Sequence, residues 1–595
     1  MPVKKDTFID IFDDLSKVID VDDSRGRSVP QNMNFIEEGF LSKDTGCNYL
    51  GGTDATTESH SIFHYKKKDG TEYKIRAFGY ILQQEIAGIW TEIQRSSQTV
   101  TVTAADPAVA TATSHGFAVD DLVYFTTTDT LPAGMSLDTP YYVLSTGLTA
   151  NDFQFSLTKG GTAVATTDTG TGTHSVHQGW QIGERFGFKV YDNDLYGCNA
   201  EDNYFKWDGT TFTEYASAPK GNVLEIFEDR MFVAGVKAEP LTVYYSNVGD
   251  ATTFTGTDIL KPLGTDSVKA LENYFGTLLI FKADSIWKLT FVYDQVATIF
   301  VPKLEIQSGN YGAASRKCVA WVENDLWFFT GREVRSIGYQ DQQIGILGIN
   351  TSVISEPIKE TLENVSVEDY DTCVVFYHDR RFYLSVPLST DYNDTTFVCH
   401  TLHSNNWTKY VDRIKATNQD YMEIDGNIFT AKSAAPYGVV QWSENLLNDN
   451  SAAIPCEVFF DRFEDKDFNK FILYRYLDLM FKDLNARVTV TITEDANDNR
   501  SSKTKTFVIG STTVSDDLTL GETPVGDAQF GDSYGYTVEF SPFQKRRLSI
   551  LAKSQSVVIG LSNNNTGETF TLAQFALSGD KRPRKMFKPS KIVSV

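Results

Sequence analysis

The sequence predicts an all-β protein: a β-propeller of six to eight blades, a small β-domain inserted into it, and a β-sandwich after it. Three observations carry this. Aromatic residues are abundant (Phe 40, Tyr 28, Trp 8) and Pro is scarce at 17, a composition suited to pleated, half-buried strands. Tight polar turns recur between alternating apolar flanks such as Leu224, Ile226, Met231, Val233 and Val319, Trp321, Leu326, Phe328. The turns are Lys68-Asp69-Gly70, Asp192-Asn193-Asp194, Glu228-Asp229-Arg230, Asn273-Tyr274-Phe275-Gly276, Glu323-Asn324-Asp325, His378-Asp379-Arg380 and Asp425-Gly426. Each offers the Asn, Asp or Gly that hairpin dihedrals favour. Apart from the first interval they lie about 36 to 55 residues apart, around the period of propeller blades.

Taken from the N-terminus, residues 7–19 place Phe8, Phe12, Leu15, Val18 and Ile19 at i, i+3/i+4 spacing. That spacing predicts a short amphipathic helix, capped by Asp6 or Thr7, in an arm over residues 1–59. Its apolar stripe suits packing on its own chain or docking on a neighbouring subunit. The propeller is expected over 60–98 and 179–444. Residues 99–178 differ in composition: 19 Thr, a single Lys, and no Trp, Cys, Glu or Arg. Removing them shortens the long first interval to the blade period, so they read as a β-domain inserted between the first two blades. Its expected strands are Thr99–Ala104, Leu122–Thr126, Tyr141–Ser145 and Phe153–Leu157, with a turn at Pro132-Ala133-Gly134.

The polar stretch Asn445 to Ala453 reads as a linker. Residues 455–580 then alternate over Glu457–Asp461, Tyr474–Phe481, Arg487–Thr493, Thr506–Ile509, Tyr536–Phe540, Leu548–Ala552, Ser556–Leu561 and Phe570–Leu577, the pattern of a sandwich. The last residues, 581–595, form a basic tail with Lys581, Arg582, Arg584, Lys585, Lys588 and Lys591. With Phe8, Phe12 and Leu15 of the arm, these are the candidate subunit-docking residues.

Charge and motifs bound the function. Lys+Arg 54 against Asp+Glu 78 gives −24, which disfavours a phosphate-gripping nucleic-acid binder. No apolar run is long enough to span a membrane, and the acidic start lacks the order of a secretory signal. The six cysteines are scattered without a CxxC pair and read as buried thiols of a reducing compartment. His400 and His403 follow Cys399 where Thr395–Leu402 alternates like a strand, so those two histidines would point to opposite faces, and His174 and His177 read as surface residues. No hydrolase, zincin, phosphate-loop or calcium-loop motif is present. The expectation is no catalytic residue, no metal and no cofactor. A carboxylate pair, the signature of a glycosidase, is defined by a separation the sequence does not supply.

Several segments resemble one family. Asn34-Phe35 through Gly39-Phe40-Leu41 to Gly46 is similar to the N-terminal entry of phage tail propeller proteins, with Lys43 and Asp44 where a basic pair is usual. Val243-Tyr244-Tyr245-Ser246-Asn247-Val248-Gly249-Asp250 through Phe254 resembles their blade segment, with Ala251 at a common Pro position. Val557 to Phe570, followed by Arg582-Pro583-Arg584, resembles their C-terminal sandwich. The stretch from Phe125 through Pro132-Ala133-Gly134 and Tyr141–Ser145 to Ser156 resembles a β-module that decorates phage structural proteins. The family is the tail nozzle, or tail tubular B-like and stabilisation proteins, of short-tailed bacteriophages. The resemblance implies a structural virion protein assembled in the host cytoplasm. It would act as a homo-oligomer, a hexamer, forming the distal exit tube and gate below portal and adaptor. Tail fibres would be neighbours, and double-stranded DNA would pass without specific binding. The other readings are a receptor-binding or adhesin-like propeller and a polysaccharide-cleaving propeller enzyme.

Overall fold

Seven four-stranded antiparallel sheets follow one another along the chain of the computed structural model, and each of the seven turns read from the sequence is the first hairpin of one sheet. The structure describes residues 6–12, 29–36, 40–256, 259–295, 299–341, 346–349, 353–402, 405–460, 463–464, 470–495, 503–510, 544–554 and 556–583. The innermost strands of blades 1 to 7 are Ser59–Lys66, Gly187–Tyr191, Val223–Phe227, Val268–Tyr274, Val319–Val322, Val374–His378 and Asn418–Ile424. The turns work because their residues accept φ > 0: Asp192 and Asn193 at 42° and 78°, Glu228 and Asp229 at 48° and 55°, Asp425 and Gly426 at 49° and 76°.

The ring closes where the last blade meets the first. Blade 7 takes its outermost strand from Cys47–Asp54, which pairs antiparallel with Tyr437–Trp442. The propeller therefore begins at Cys47 and not at residue 60. On the inner side, Asp420 accepts from the Ile62 amide at 3.0 Å and Gln419 donates to the Ser59 carbonyl at 2.9 Å. Apolar clusters sit between successive blades. Tyr65, Ile75 and Leu82 of blade 1 pack with Phe205 and Trp207 of blade 2, for example, and Ile62 packs with Met422 and Phe429 across the closure.

The inserted domain leaves after Ile93 and returns before blade 2 as one seven-stranded sheet. Gln98–Val102 and His174–Gln178, its first and last strands, pair with each other, so entry and exit are adjacent. Val100, Phe125, Tyr141, Phe153 and Phe155 give it a core of its own. Trp180 and the side chain of Arg95, buried against Asp202 and Glu214, seat it on blade 2.

The sandwich has two sheets. One runs Met33–Phe35, Leu41–Lys43, Thr569–Pro583, Lys470–Asn485, Gln544–Ser554; the other runs Cys456–Phe459, Ser556–Asn563, Val488–Asp495, Lys503–Ile509. Leu477, Leu479, Phe481, Val490, Ile559, Leu572 and Phe575 fill the space between, in a core continuous with blades 5 and 6. The expected strand Tyr536–Phe540 lies outside the described residues. The expected N-terminal helix is not formed over its first half. Asp6–Phe12 is a strand, antiparallel to Thr569–Pro583 with Phe8 opposite Gly579 and Phe12 opposite Phe575. Thr7, Ile9 and Ile11 are β-branched, and an available sheet partner decided between two local patterns the segment satisfies equally. Residues 13–19, with Leu15, lie outside the described residues. Helix elsewhere among the described residues is confined to short turns such as Lys359–Leu362.

One buried ionic cluster joins the arm, the blade 6–7 connection and the linker. Arg413 reaches Asp44 at 2.5 Å and clasps Asp449 with Nε at 2.9 Å and Nη2 at 2.8 Å. Lys415 adds a contact to Asp44 at 3.1 Å, and Asn34 bridges Asp44 to the Tyr410 hydroxyl. Burial alone would raise the Asp44 carboxyl, but Lys415 and Arg413 prevail and hold it at about 2. Because that value is depressed, the stabilisation is present above about pH 4 and is lost as pH falls towards 2. Asp44→Asn leaves two buried cations short of a partner. It should cost roughly 3–5 kcal/mol in denaturant unfolding and make the remaining stability less sensitive to acid. Excising residues 98–177 with a short glycine link should leave the propeller's unfolding midpoint nearly unchanged, since the excised domain carries its own core.

Candidate functional site: the propeller axis

The innermost strands surround a cavity of about 320 Å³, with wall residues from all seven blades. The walls follow a rule of position. His64, Lys189, Glu225 and Glu272 each sit two residues before the end of their inner strand, so blades 1 to 4 contribute one layer of polar groups below the hairpin turns. Lys189 pairs with Glu225 at 2.5 Å, and Lys317 from blade 5 pairs with Asp420 at 2.8 Å. Glu272 differs: burial and the neighbouring Glu225 raise its pKa to about 8, against the pull of Lys189, Lys317 and a hydrogen bond with Trp321.

At the other end of the inner strands two arginines span the axis. Arg316, entering blade 5, donates with Nη1 to the carbonyls of Arg185 and Asn222 on the blade 2 and blade 3 side, both at 3.0 Å. Arg185 donates in turn to the Asp371 carbonyl before blade 6 at 3.1 Å. Lys269 of blade 4 meets the Asp371 carboxylate at 2.9 Å. Burial and the adjacent Arg185 lower Arg316 to about 10, a guanidinium still charged at neutral pH.

The arrangement sets Glu272, whose burial and neighbour favour its protonated form, beside a second carboxyl in one cleft, the kind of pairing from which acid–base chemistry is built. The turns above the layer carry exposed Asp69, Asp192, Glu228, Asp229, Glu323, Asp379 and Asp425, so the rim on that face is acidic. Two aromatic rings stand among them: Phe275, 57% exposed, and Trp321, 37% exposed, with centroids 5.4 Å apart.

The docking residues expected from sequence lie elsewhere. Lys581 and Arg582 are not in a tail: they belong to the strand Thr569–Pro583, opposite Ile472 and Phe471. Arg584, Lys585, Lys588, Lys591 and Leu15 lie outside the described residues, and Phe8 and Phe12 sit on the edge strand Asp6–Phe12. His400 is buried and shares a hydrogen bond with Thr408, while His403 lies outside the described residues. His174 and His177 are buried rather than on the surface, bonded to Thr127 and Thr126 in the inserted domain's sheet. All six cysteines are free and buried. Among the described residues no cluster of His, Cys, Asp and Glu could hold a metal ion, and no helix is long and apolar enough to cross a membrane.

No family model and no curated protein matches this sequence. Similar solved structures include PorZ of the type-IX secretion system of Porphyromonas gingivalis, at 8% identity and a TM-score of 0.25 over 65% of this chain. The match covers 42% of PorZ. An exo-β-1,3-galactanase from Phanerochaete chrysosporium matches at 9% identity and a TM-score of 0.21, covering 67% of this chain and 97% of the enzyme. The endosialidase of phage phi92 matches at 10% identity and a TM-score of 0.20, covering 81% and 69%. Likenesses this slight carry no argument about activity. The class of protein is defined by the chain's own seven sheets: a β-propeller protein with an inserted domain and a C-terminal sandwich.

The raised carboxyl has a testable sign. Between about pH 4.5 and 8 the folded chain holds a proton on Glu272 that the unfolded chain releases, so this group makes stability fall as pH rises through that window. Glu272→Gln should remove that fall, gaining roughly 1 kcal/mol or more at pH 8 relative to pH 5 in urea unfolding.

Proposed function

We propose that this chain is a structural subunit of a short-tailed bacteriophage's tail, in the nozzle that forms the distal DNA-exit tube below portal and adaptor. Copies, six in number by the resemblance, would form a ring. The observation that carries the reading is mechanical. The N-terminal arm supplies strands to both the sandwich and blade 7, and the Asp44–Arg413–Asp449 cluster ties arm, propeller and linker together at one buried point. A chain so tied is one stiff body, as a part under load requires. Charge supports it too. Residues 455–595 carry nearly equal numbers of acidic and basic side chains, so the −24 resides on the arm, the propeller and its insert. An acidic wall repels phosphates and lets a nucleic acid slide.

A second reading, a polysaccharide-cleaving propeller, is favoured by the Glu225–Glu272 arrangement. Lys189 and Trp321 already occupy those carboxyls, which suits a structural layer better than a free acid and base.

Under the first reading the purified chain forms rings at physiological salt, and labelled antibody decorates the tail tip of particles in electron micrographs. Truncation after Pro583 keeps the sandwich strand and should weaken ring assembly while leaving the unfolding transition in place. A protein that stays monomeric, is absent from particles and depolymerises envelope polysaccharide would overturn the reading.

A further inference from the structure

We propose that the acidic-rimmed mouth of the propeller axis, at Phe275, Trp321 and Glu272, binds an uncharged saccharide.

The backbone supplies the first argument. Phe275 occupies the left-handed region at φ 44°, a conformation costly for a bulky side chain, and it is exposed. Five of the other six turns place an acidic side chain at the corresponding position: Asp192, Glu228, Glu323, Asp379 and Asp425. A phenyl ring there is strained without burying itself in the core. What it does is stand edge-to-face against Trp321, whose ring in turn lies 5.0 Å from Tyr274. The result is an aromatic ledge joined to the cavity wall by the hydrogen bond between Trp321 and Glu272. Ledges of this kind stack on the apolar faces of pyranose rings, because a C–H-rich ring face meets the negative π-face favourably while its hydroxyls stay at the edge.

The cavity supplies the second. Beside the ledge it presents donors and acceptors in one layer: the Glu272 carboxyl, the Glu225 carboxylate, the Lys189 ammonium and His64. At the ledge end its charges are paired within the wall, Lys189 with Glu225 and Lys317 with Asp420, while Arg316 at the far end is held by backbone carbonyls, so the part beside the ledge offers hydrogen bonds rather than a free charge. Its size, about 320 Å³, lies at the small end of ligand sites. A polyhydroxylated ligand without charge fits such a lining.

The rim supplies the third. On the turns Asp69, Glu228, Asp229, Glu323, Asp379 and Asp425 outnumber Arg230 and Arg380, with Asp192 paired to Lys68, so the net acidic rim disfavours sialic acids, uronic acids and phosphorylated sugars. Among bacterial envelope polymers this leaves neutral hexose and N-acetylhexosamine chains. The inference requires no cleavage, and it stands whether or not the chain is a tail subunit.

The test uses the full chain and a panel of maltohexaose, mannohexaose, galactohexaose and chitohexaose, with polysialic acid as the anionic control. Binding is followed by calorimetry and by tryptophan fluorescence. At least one neutral oligomer should bind with a Kd of about 1 mM or tighter, and polysialic acid should not. Trp321→Ala should weaken that binding roughly tenfold or more, with Trp321→Phe retaining part of it. Phe275→Gly relieves the backbone and should raise thermal stability while weakening binding, which separates a lost ledge from a damaged fold. No binding across the neutral panel, equal binding by Trp321→Ala, or preference for polysialic acid would each overturn the proposal.

Discussion

The Asp44–Arg413–Asp449 contact is the constraint on which the architecture turns. Each partner comes from a different part of the chain: the arm, the link between blades 6 and 7, and the segment leading to the sandwich. Taking these charges out of water is expensive, and only their mutual geometry, with Lys415, Asn34 and the Thr45 carbonyl satisfying the remaining groups, makes the arrangement tolerable. In this arrangement the arm is held in register as it enters the sandwich and then blade 7. Closure of the propeller and docking of the sandwich thereby share one set of contacts.

This coupling explains why the sandwich is not a separable appendage. Its core is continuous with blades 5 and 6. Gln31 pairs on one side with Lys409 of blade 6 and on the other with Glu457 of the sandwich, and Asn32 donates to Pro455 and Val411. The inserted domain is the opposite case. It carries its own core, and its first and last strands pair; the short neck near Arg95 and Trp180 ties it to blade 2, and Tyr124 rests on Tyr80 and donates to Glu92 of blade 1.

Much of this was legible in the sequence where the determinants are local. Hairpin turns need left-handed dihedrals, so Asp192-Asn193 or Asp425-Gly426 announce themselves, and counting them counts blades. What was missed depends on distant partners. Cys47–Asp54, within the arm expected over 1–59, contains Gly51 and Gly52 and becomes a strand because Tyr437–Trp442, nearly four hundred residues on, offers it a ladder. Asp6–Phe12 satisfies a helical and an extended pattern, and the edge of Thr569–Pro583 settles it. The axial layer was hidden because a carboxylate on a strand looks like any solvent-facing position. Its signal was positional: His64, Lys189, Glu225 and Glu272 share one offset from the turn that follows. Alignment on the turns rather than on whole blades brings them into one column.

The two arginines that meet over the axis carry a last consequence. With Arg316 reaching from one side of the ring and Arg185 from the other, no straight bore runs down the middle of a single propeller. Any thread-like cargo carried by an assembly of these molecules must travel in a corridor enclosed by several of them, along the flanks of the blades. Its width is then fixed by how many molecules stand around it, and the hub of each one stays out of its way.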